Sequence, residues 1–327
     1  MKTKNQNYRT KLKIVFLGTH RLAQIVLEKL IDSQFKPQLV ITGHDRKSGR
    51  GQILKSTPIK EIAQKNHLPV QEPKTLLDKD FVNTFRDFSP DLAILVAYGK
   101  IIPTEVLTIP KHGFLNIHPS LLPKYRGPSP IITAILEGET ETGVTIIKLD
   151  EELDHGPIIS QKAIKIQQSE TTESLTGKLA RIGAEQLIES LPDYLLGQIK
   201  LQEQDHSKAT LTQKITKEDG FIDLAKPPDP TTLDRMIRAF YPWPSVWSKV
   251  PPKARLAKGG KVKSDKSIII KFLPNIPTIL QTYRPTNLPT YKPTDLFLIQ
   301  PEGKRPMTIK EFLNGYPQSK DLIEKII

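Results

Sequence analysis

Short apolar runs take turns with segments of helical period along the first half of the chain, and that alternation limits the architectures open to it. Ile14, Val15, Phe16 and Leu17 form an apolar run closed by Gly18; Leu22, Ala23, Val26, Leu27, Leu30 and Ile31 then recur at helical spacing. Strand-like runs at 38–42, 91–97 and 114–117 are each followed by loop residues and another helical pattern. Such succession predicts an α/β fold, a Rossmann-like, mostly parallel sheet flanked by helices, with binding sites at the carboxyl ends of its strands. Strands at 144–149 and 157–166, and a long amphipathic helix marked by Leu175, Leu179, Ile182, Leu187 and Leu191, complete the expected domain. The turn after Gly18 reads Thr19, His20, Arg21 and lacks the glycine triplet through which a pyrophosphate approaches the backbone, so NAD binding is disfavoured.

After Gly197 the texture changes. Fifteen of the 28 prolines fall in residues 201–327, where short β-type runs at 267–272 and 295–299 alternate with turns, the pattern of a small β-barrel or sandwich. The expected division is a catalytic domain at 1–199, a linker at 200–210 and a second domain at 211–327, with the proline-rich stretch 274–293 as an irregular connection.

The chain has no cysteine, which excludes disulfides, thiolate metal sites and a cysteine nucleophile. Residues 1–13 are polar and basic, the apolar run behind them is too short for a signal peptide, and no stretch nears the roughly 20 apolar residues of a membrane helix. A soluble, cytoplasmic protein is expected. The net charge is +13, of which residues 201–327 carry +8. Between 249 and 276 stand Lys249, Lys253, Arg255, Lys258, Lys261, Lys263, Lys266 and Lys271 against one acid, Asp265. A nucleic acid is a fitting partner for such a tract, although solvated lysines on loops give the same composition.

The densest polar cluster runs Asn116-Ile117-His118-Pro119-Ser120-Leu121-Leu122-Pro123-Lys124-Tyr125-Arg126-Gly127. Asn116 and His118 are two apart at a strand end and so face one side, where both can donate to one developing oxyanion. Downstream, Leu153-Asp154-His155-Gly156-Pro157 sets a carboxylate in a turn between two strands, placed to orient an imidazole or to accept a proton. An amide donor, an imidazole and a carboxylate, without a serine or cysteine elbow, suit direct acyl transfer in which the substrate's own amine attacks. Spacing alone also allows ordinary hydrogen-bonding loop residues. His112 and His118 flank a strand without any ligand motif around them, and no metal is expected.

The run 116–127, then Thr142-Gly143-Val144-Thr145-Ile146 and Leu153-Asp154-His155-Gly156-Pro157, closely resembles the formyltransferase family that uses 10-formyltetrahydrofolate, in the same order and spacing. The resemblance implies that Asn116, His118 and Asp154 are the catalytic trio. It implies that Ser120, Leu121, Leu122 and Pro123 contact the reduced folate, and that Ala97, Tyr98 and Gly99 wrap its pterin. Enzymes that formylate a purine precursor or amino sugars share the trio, as does a folate dehydrogenase's hydrolase domain, so it sets the chemistry more than the acceptor.

Asp45-Arg46-Lys47-Ser48-Gly49-Arg50-Gly51, with Ser56-Thr57-Pro58-Ile59-Lys60, is similar to the loop with which family members reach the acceptor end of methionyl initiator tRNA. On that likeness Arg46, Lys47 and Arg50 are tRNA contacts, with Arg50 wedged at the unpaired first base pair; the bland reading is a flexible surface turn. Lys214-Ile215-Thr216-Lys217-Glu218-Asp219-Gly220, Ile237-Arg238-Ala239-Phe240-Tyr241-Pro242-Trp243-Pro244 and Gln300-Pro301-Glu302-Gly303-Lys304-Arg305-Pro306-Met307 resemble the family's OB-like, tRNA-binding carboxyl-terminal barrel. Lys258, Lys261 and Lys263 are the expected backbone contacts there. Trp243 and Trp247 are read as packing residues rather than base-stacking platforms. The helix entry Thr19-His20-Arg21-Leu22 departs from the family's usual Thr-Pro and aromatic, which touches local packing or pterin fit. A monomer that formylates methionyl initiator tRNA is expected; the alternatives are an enzyme acting on an amino sugar nucleotide and a noncatalytic RNA-binding protein.

Overall fold

The computed structural model describes residues 12–48, 53–250, 267–275 and 297–326. It divides into two compact units, one of Met1–Pro130, Glu141–Lys165 and Thr176–Gln213, the other of Ile131–Thr140, Ile166–Leu175 and Lys214–Ile327.

Along the first part of the chain run β1 (Ile14–Gly18), α1 (Arg21–Ile31), β2 (Leu39–Ile41), β3 (Arg46–Ser48), β4 (Ile53–Lys55), α2 (Pro58–Lys65), β5 (Val70–Gln71), α3 (Lys79–Phe88) and β6 (Leu92–Val96). After them come α4 (Thr104–Leu107), β7 (Phe114–His118), α5 (Pro130–Leu136), β8 (Glu141–Lys148), β9 (Ile158–Lys165) and α6 (Thr172–Leu195). Among the described residues the larger sheet has seven strands in the order β5-β2-β1-β6-β7-β8-β9. The first five are parallel, and β8 is the reversed strand, pairing antiparallel with β7 and with β9, which meets the expectation of a mostly parallel sheet.

Every residue of β1 is buried, as a central strand covered on both faces requires. The same burial explains why its sequence is a continuous apolar run rather than an alternating one. The α3 helix buries Phe81, Val82 and Phe85, which share one helical face, and Asp78 caps it by accepting from the Asp80 and Phe81 amides at 2.9 and 3.2 Å. Phe85 stacks on Phe81 with ring centroids 5.6 Å apart and meets Phe114 at a tilt at 6.4 Å, in a cluster shared with Val15, Leu17, Leu39 and Ile41. Fully burying each such aromatic contributes about 3 kcal/mol against leaving it in water.

Two features of this sheet matter for ligands. From β1 the chain turns to β2 on one side and later to β6 on the other, so the order reverses between β1 and β6. In open α/β sheets the crevice beyond the carboxyl ends at that switch point is where ligands bind. The β7 strand lies next to β6 and parallel to it, so its last residues and the loop after it leave the sheet on the same side.

The second unit contains α7 (Pro230–Ala239), β10 (Val246–Val250), β11 (Ile268–Pro274), β12 (Phe297–Pro301) and α8 (Ile309–Gly315). Its three described strands form an antiparallel sheet in the order β10-β11-β12, where the sequence predicts a small β structure. Val246, Val250, Ile270, Phe272, Phe297 and Ile299 turn into a core with Leu233, Ile237, Ile309 and Phe312. Most of the expected irregular connection at 274–293 lies outside the described residues. Trp247 packs as expected, its indole donating to the Lys217 carbonyl at 2.9 Å with Phe221 at 4.9 Å. Trp243 does not, being 56% exposed.

Candidate active site

The period of two along β7 puts Asn116 and His118 on one side of a strand whose five residues are all buried. Neighbouring strands fix both: Asn116 sits opposite Leu95 and Ile147, and His118 opposite Thr145. Asp154 arrives from the turn between β8 and β9 in a left-handed conformation with φ of 49°. For a residue with a side chain that conformation costs about 1–3 kcal/mol and persists only where surroundings enforce it.

What it achieves is a convergent contact. Asp154 Oδ1 accepts from Asn116 Nδ2 at 3.0 Å, Oδ2 accepts from the Gly127 amide at 2.8 Å, and His118 Nδ1 lies 3.4 Å from Oδ2. His118 Nε2 donates to the Tyr125 carbonyl at 2.9 Å. Both ring nitrogens thus face oxygens, and Asn116 keeps a second amide N–H beyond the one given to Asp154. All three side chains are buried.

The loop after β7 is held from below. Thr145 Oγ1 donates to the Ser120 carbonyl at 2.7 Å and accepts from the Leu122 amide at 3.1 Å, and Gln161 Nε2 reaches the Leu122 carbonyl at 2.9 Å. Ser120 and Leu122 are buried, while Leu121 and Pro123 are half-buried. Gly143 admits this loop: a Cβ there would stand 2.4 Å from Leu121 Cδ2 and 2.3 Å from the Lys162 carbonyl.

At the switch point, Ala97 (φ 44°) and Gly99 (φ 78°) bracket Tyr98. Thr19 Oγ1 donates to the Tyr98 carbonyl and His20 Nδ1 to that of Ala97, each at 3.1 Å, so the departure at His20 falls against the segment expected to wrap the pterin. The Tyr98 hydroxyl is buried without a partner among the described residues, and burial pushes it up to about 12.

The family model described as "Formyl transferase" matches residues 12–191, and that described as "Formyl transferase, C-terminal domain" matches 214–273. The chain belongs to the formyl transferase family. Within it, the chain is 40% identical over 311 residues to a methionyl-tRNA formyltransferase of Roseiflexus castenholzii, covering 93% of this chain and 96% of that one. It is 45% identical over 237 residues to a methionyl-tRNA formyltransferase of Chloroflexus aggregans, covering 72% and 76%. Among solved structures, a 4-N formyltransferase from Francisella tularensis shares the fold with a TM-score of 0.58 at 19% identity, over 77% of this chain and 95% of that one. An N-formyltransferase from Helicobacter canadensis, solved with folinic acid and dTDP-3-aminofucose, has a TM-score of 0.53 at 20% identity, over 80% and 95%.

In this formyl transferase the three residues expected to form the trio lie together, although 38 positions separate Asn116 from Asp154. The two segments expected to hold folate, 97–99 and 120–123, both leave the carboxyl ends of adjacent parallel strands. For the expected tRNA contacts less is described. Arg46 and Lys47 lie in β3, paired with β4 as a hairpin, while Arg50, Lys258, Lys261 and Lys263 lie outside the described residues. At the foot of that hairpin Lys60 donates to Glu72 at 2.8 Å and to Asp45 at 3.0 Å, and the two carboxylates hold its ammonium above the usual lysine range. The Thr42 and Thr57 hydroxyls close the hairpin's base at 2.9 Å. Among the described residues no group of three or more His, Cys, Asp or Glu is arranged to hold a metal ion, and no helix is long and apolar enough to cross a membrane.

Sequence reasoning missed the Gly127 amide, Thr145 and Gln161. Gly127 stood in the motif but acts through its backbone, which no side-chain pattern reveals. Thr145 and Gln161 stand on β8 and β9, and only strand register carries them to the loop.

Proposed function

We propose that this enzyme transfers the formyl group of 10-formyltetrahydrofolate to the α-amino group of methionyl initiator tRNA. The observation that carries the reading is the buried junction of Asn116, His118 and Asp154 at the carboxyl edge of the sheet, beside the switch point. Its near relatives' names, methionyl-tRNA formyltransferase, supply the acceptor.

On this reading the free amine of methionine attacks the formyl carbon. The second N–H of Asn116 and the imidazole of His118 stabilise the oxyanion that develops, each donor contributing about 3 kcal/mol. His118 does so by exchanging the Tyr125 carbonyl for the substrate oxygen, since catalytic hydrogen bonds often tighten only in the reacting complex. Asp154, directly or through a water, takes the proton of the attacking amine, a step contributing about 10²–10⁴-fold. The bond from the formyl carbon to the folate nitrogen then breaks, and that nitrogen regains a proton. No covalent enzyme intermediate is needed.

The donor set fits a reduced folate: left-handed main chain at Ala97 and Gly99, and a loop at 120–123 offering backbone groups beside Leu121 and Pro123. For the tRNA we assign Arg46, Lys47 and Arg50 to the acceptor end and Lys258, Lys261 and Lys263 to the phosphate backbone. The functional division we propose is chemistry in 1–199, a linker at 200–210 and tRNA binding in 211–327, in a monomer working in the cytoplasm.

The test is formyl transfer from 10-formyltetrahydrofolate to methionyl initiator tRNA, with methionyl elongator tRNA and an amino sugar nucleotide as parallel acceptors. Selective formylation of the initiator is expected. Reaction only with the sugar would keep the chemistry and overturn the acceptor. His118→Ala should lower kcat by about 10²–10³-fold with tRNA binding retained; an unchanged kcat would remove His118 from the mechanism.

A further inference from the structure

Asp154 is held at its carboxylate by Asn116 and Gly127, but its strained main chain needs a support of its own. One side chain provides it. Gln204 Nε2 donates to the Asp154 carbonyl at 2.9 Å and to the Gly156 carbonyl at 2.8 Å. Its Oε1 accepts from Arg126 Nε at 3.2 Å and from Nη2 at 2.7 Å. Gln204 and Arg126 are buried, 5% and 7% exposed. Among the described residues the Arg126 guanidinium meets no carboxylate; its partners are Gln204 and His206 Nδ1, the latter at 2.8 Å. A buried guanidinium without a carboxylate is costly, so a function that repays the cost is expected of it.

The same stretch of chain grips the other side of the site. The Arg126 amide donates to the Thr210 carbonyl and the Thr212 amide to the Arg126 carbonyl, both at 2.8 Å, immediately before the Gly127 amide that binds Asp154. The Gln202 amide and carbonyl pair with Ile158, just beyond the Asp154 turn, at 2.9 and 2.7 Å. Residues 202–212 therefore tie together the two segments that meet at the Asp154 carboxylate. They lie in the interval between the regions matched by the two family models, 12–191 and 214–273.

We infer that Gln204, oriented by Arg126, is a positioning residue for formyl transfer, and that the segment 202–212, besides joining the two functional parts, is a working part of the active site, which carries the chemistry past residue 199. It sets where the Asp154 carboxylate stands relative to Asn116 and His118. Only an uncharged amide does this, because it donates to two carbonyls at one end and accepts a guanidinium at the other. A carboxylate keeps the guanidinium but presents lone pairs to both carbonyls; a methionine of similar length offers neither bond. The inference rests on Asp154 acting in the reaction, as proposed above.

The experiment compares the full chain with Asp154→Asn, Gln204→Glu and Gln204→Met in formyl transfer from 10-formyltetrahydrofolate to methionyl initiator tRNA. Both Gln204 variants are expected to lose about 10- to 100-fold in kcat, the scale of a misplaced reacting group, with KM for the tRNA held within about twofold. Gln204→Glu pairs its carboxylate with the buried guanidinium and so keeps the fold, which its thermal unfolding midpoint verifies; it decides the matter if Gln204→Met does not fold. A merely structural role, neutral packing around Arg126, would leave the folded Gln204→Glu at wild-type kcat, and that result, or a change in KM alone, overturns the inference. Loss of activity in Asp154→Asn with a wild-type kcat in Gln204→Glu sinks the brace and leaves the mechanism standing. Full activity in Asp154→Asn would sink both.

Discussion

At the scale of single residues, the turn that delivers Asp154 is crowded by backbone, and that makes its neighbours unforgiving. A Cβ at Gly156 would stand 1.9 Å from the Lys148 carbonyl oxygen and 3.3 Å from the Asp150 amide nitrogen. Main-chain atoms cannot swing aside as a lysine tip would, so Gly156→Ala must displace the turn itself. The expected cost is about 1–3 kcal/mol in urea unfolding, together with a fall in kcat of at least about tenfold because the carboxylate moves with the turn; wild-type values in both assays would show that the turn yields without consequence. Tyr98 presents the opposite case. Its buried hydroxyl has no partner among the described residues, and burial alone pushes its ionisation up to about 12. Removing an unsatisfied buried hydroxyl relieves a desolvation cost of about 1–3 kcal/mol. Tyr98→Phe should therefore leave the free protein at least as stable as wild type in thermal unfolding, and a clear drop in the midpoint would mean that the hydroxyl has a structural partner after all. His20 was legible as a departure from the family's pattern, yet only the structure shows its ring on the Ala97 carbonyl.

Elements form here where local signals and tertiary burial agree. The α8 helix begins with a capping box in which Thr308 Oγ1 accepts from the Glu311 amide at 3.3 Å and the Glu311 carboxylate accepts from the Thr308 amide at 2.8 Å. Thr308→Ala should destabilise the protein by about 1 kcal/mol, read from urea unfolding. The same box carries a pH signature. The Thr308 amide and hydroxyl hold the Glu311 carboxyl below its usual 4.5, so the unfolded chain binds the proton more readily. This contribution is fully present above about pH 4.5 and is lost as the pH falls through the lower folded value. Glu311→Ala should flatten that part of the stability profile, and an acid limb identical to wild type would count against the box. The α6 helix shows a local signal overruled: its spacing of Leu175, Leu179, Leu187 and Leu191 was readable, but the helix continues through Pro192 to Leu195. Proline at that point falls in the last turn, where few later residues depend on the ladder it interrupts. The β3–β4 hairpin had no strand signature, being a basic, glycine-bearing loop, and it is described as a hairpin through backbone pairing of Arg46 with Lys55 and Lys47 with Leu54.

For the whole molecule, the uneven charge leads to a prediction that needs no side-chain geometry. Residues 201–327 carry +8 of the net +13, and neutralising phosphates releases their counterions. Binding of methionyl initiator tRNA should weaken by about 10³-fold or more between 50 and 200 mM salt if six or more phosphates are contacted; a flat response would rule out that footprint. Arg50→Ala should narrow the preference for initiator over elongator tRNA while leaving the KM for the folate donor unchanged, and equal preference in mutant and wild type would remove Arg50 from recognition. The sequence by itself determined the sheet's parallel half, because strands buried on both faces must be written as unbroken apolar runs. It likewise determined that Asn116 and His118 face one way, since a strand repeats every two residues. It did not determine that β8 returns antiparallel between β7 and β9, nor that Asp154 meets Asn116 across 38 positions or Gln204 meets Asp154 across 50. Those contacts belong to register, to a left-handed turn and to a buried amide joining distant loops. Local pattern is written by short-range sterics and burial, whereas the meeting of remote residues is decided only when the packed core leaves their segments one place to go.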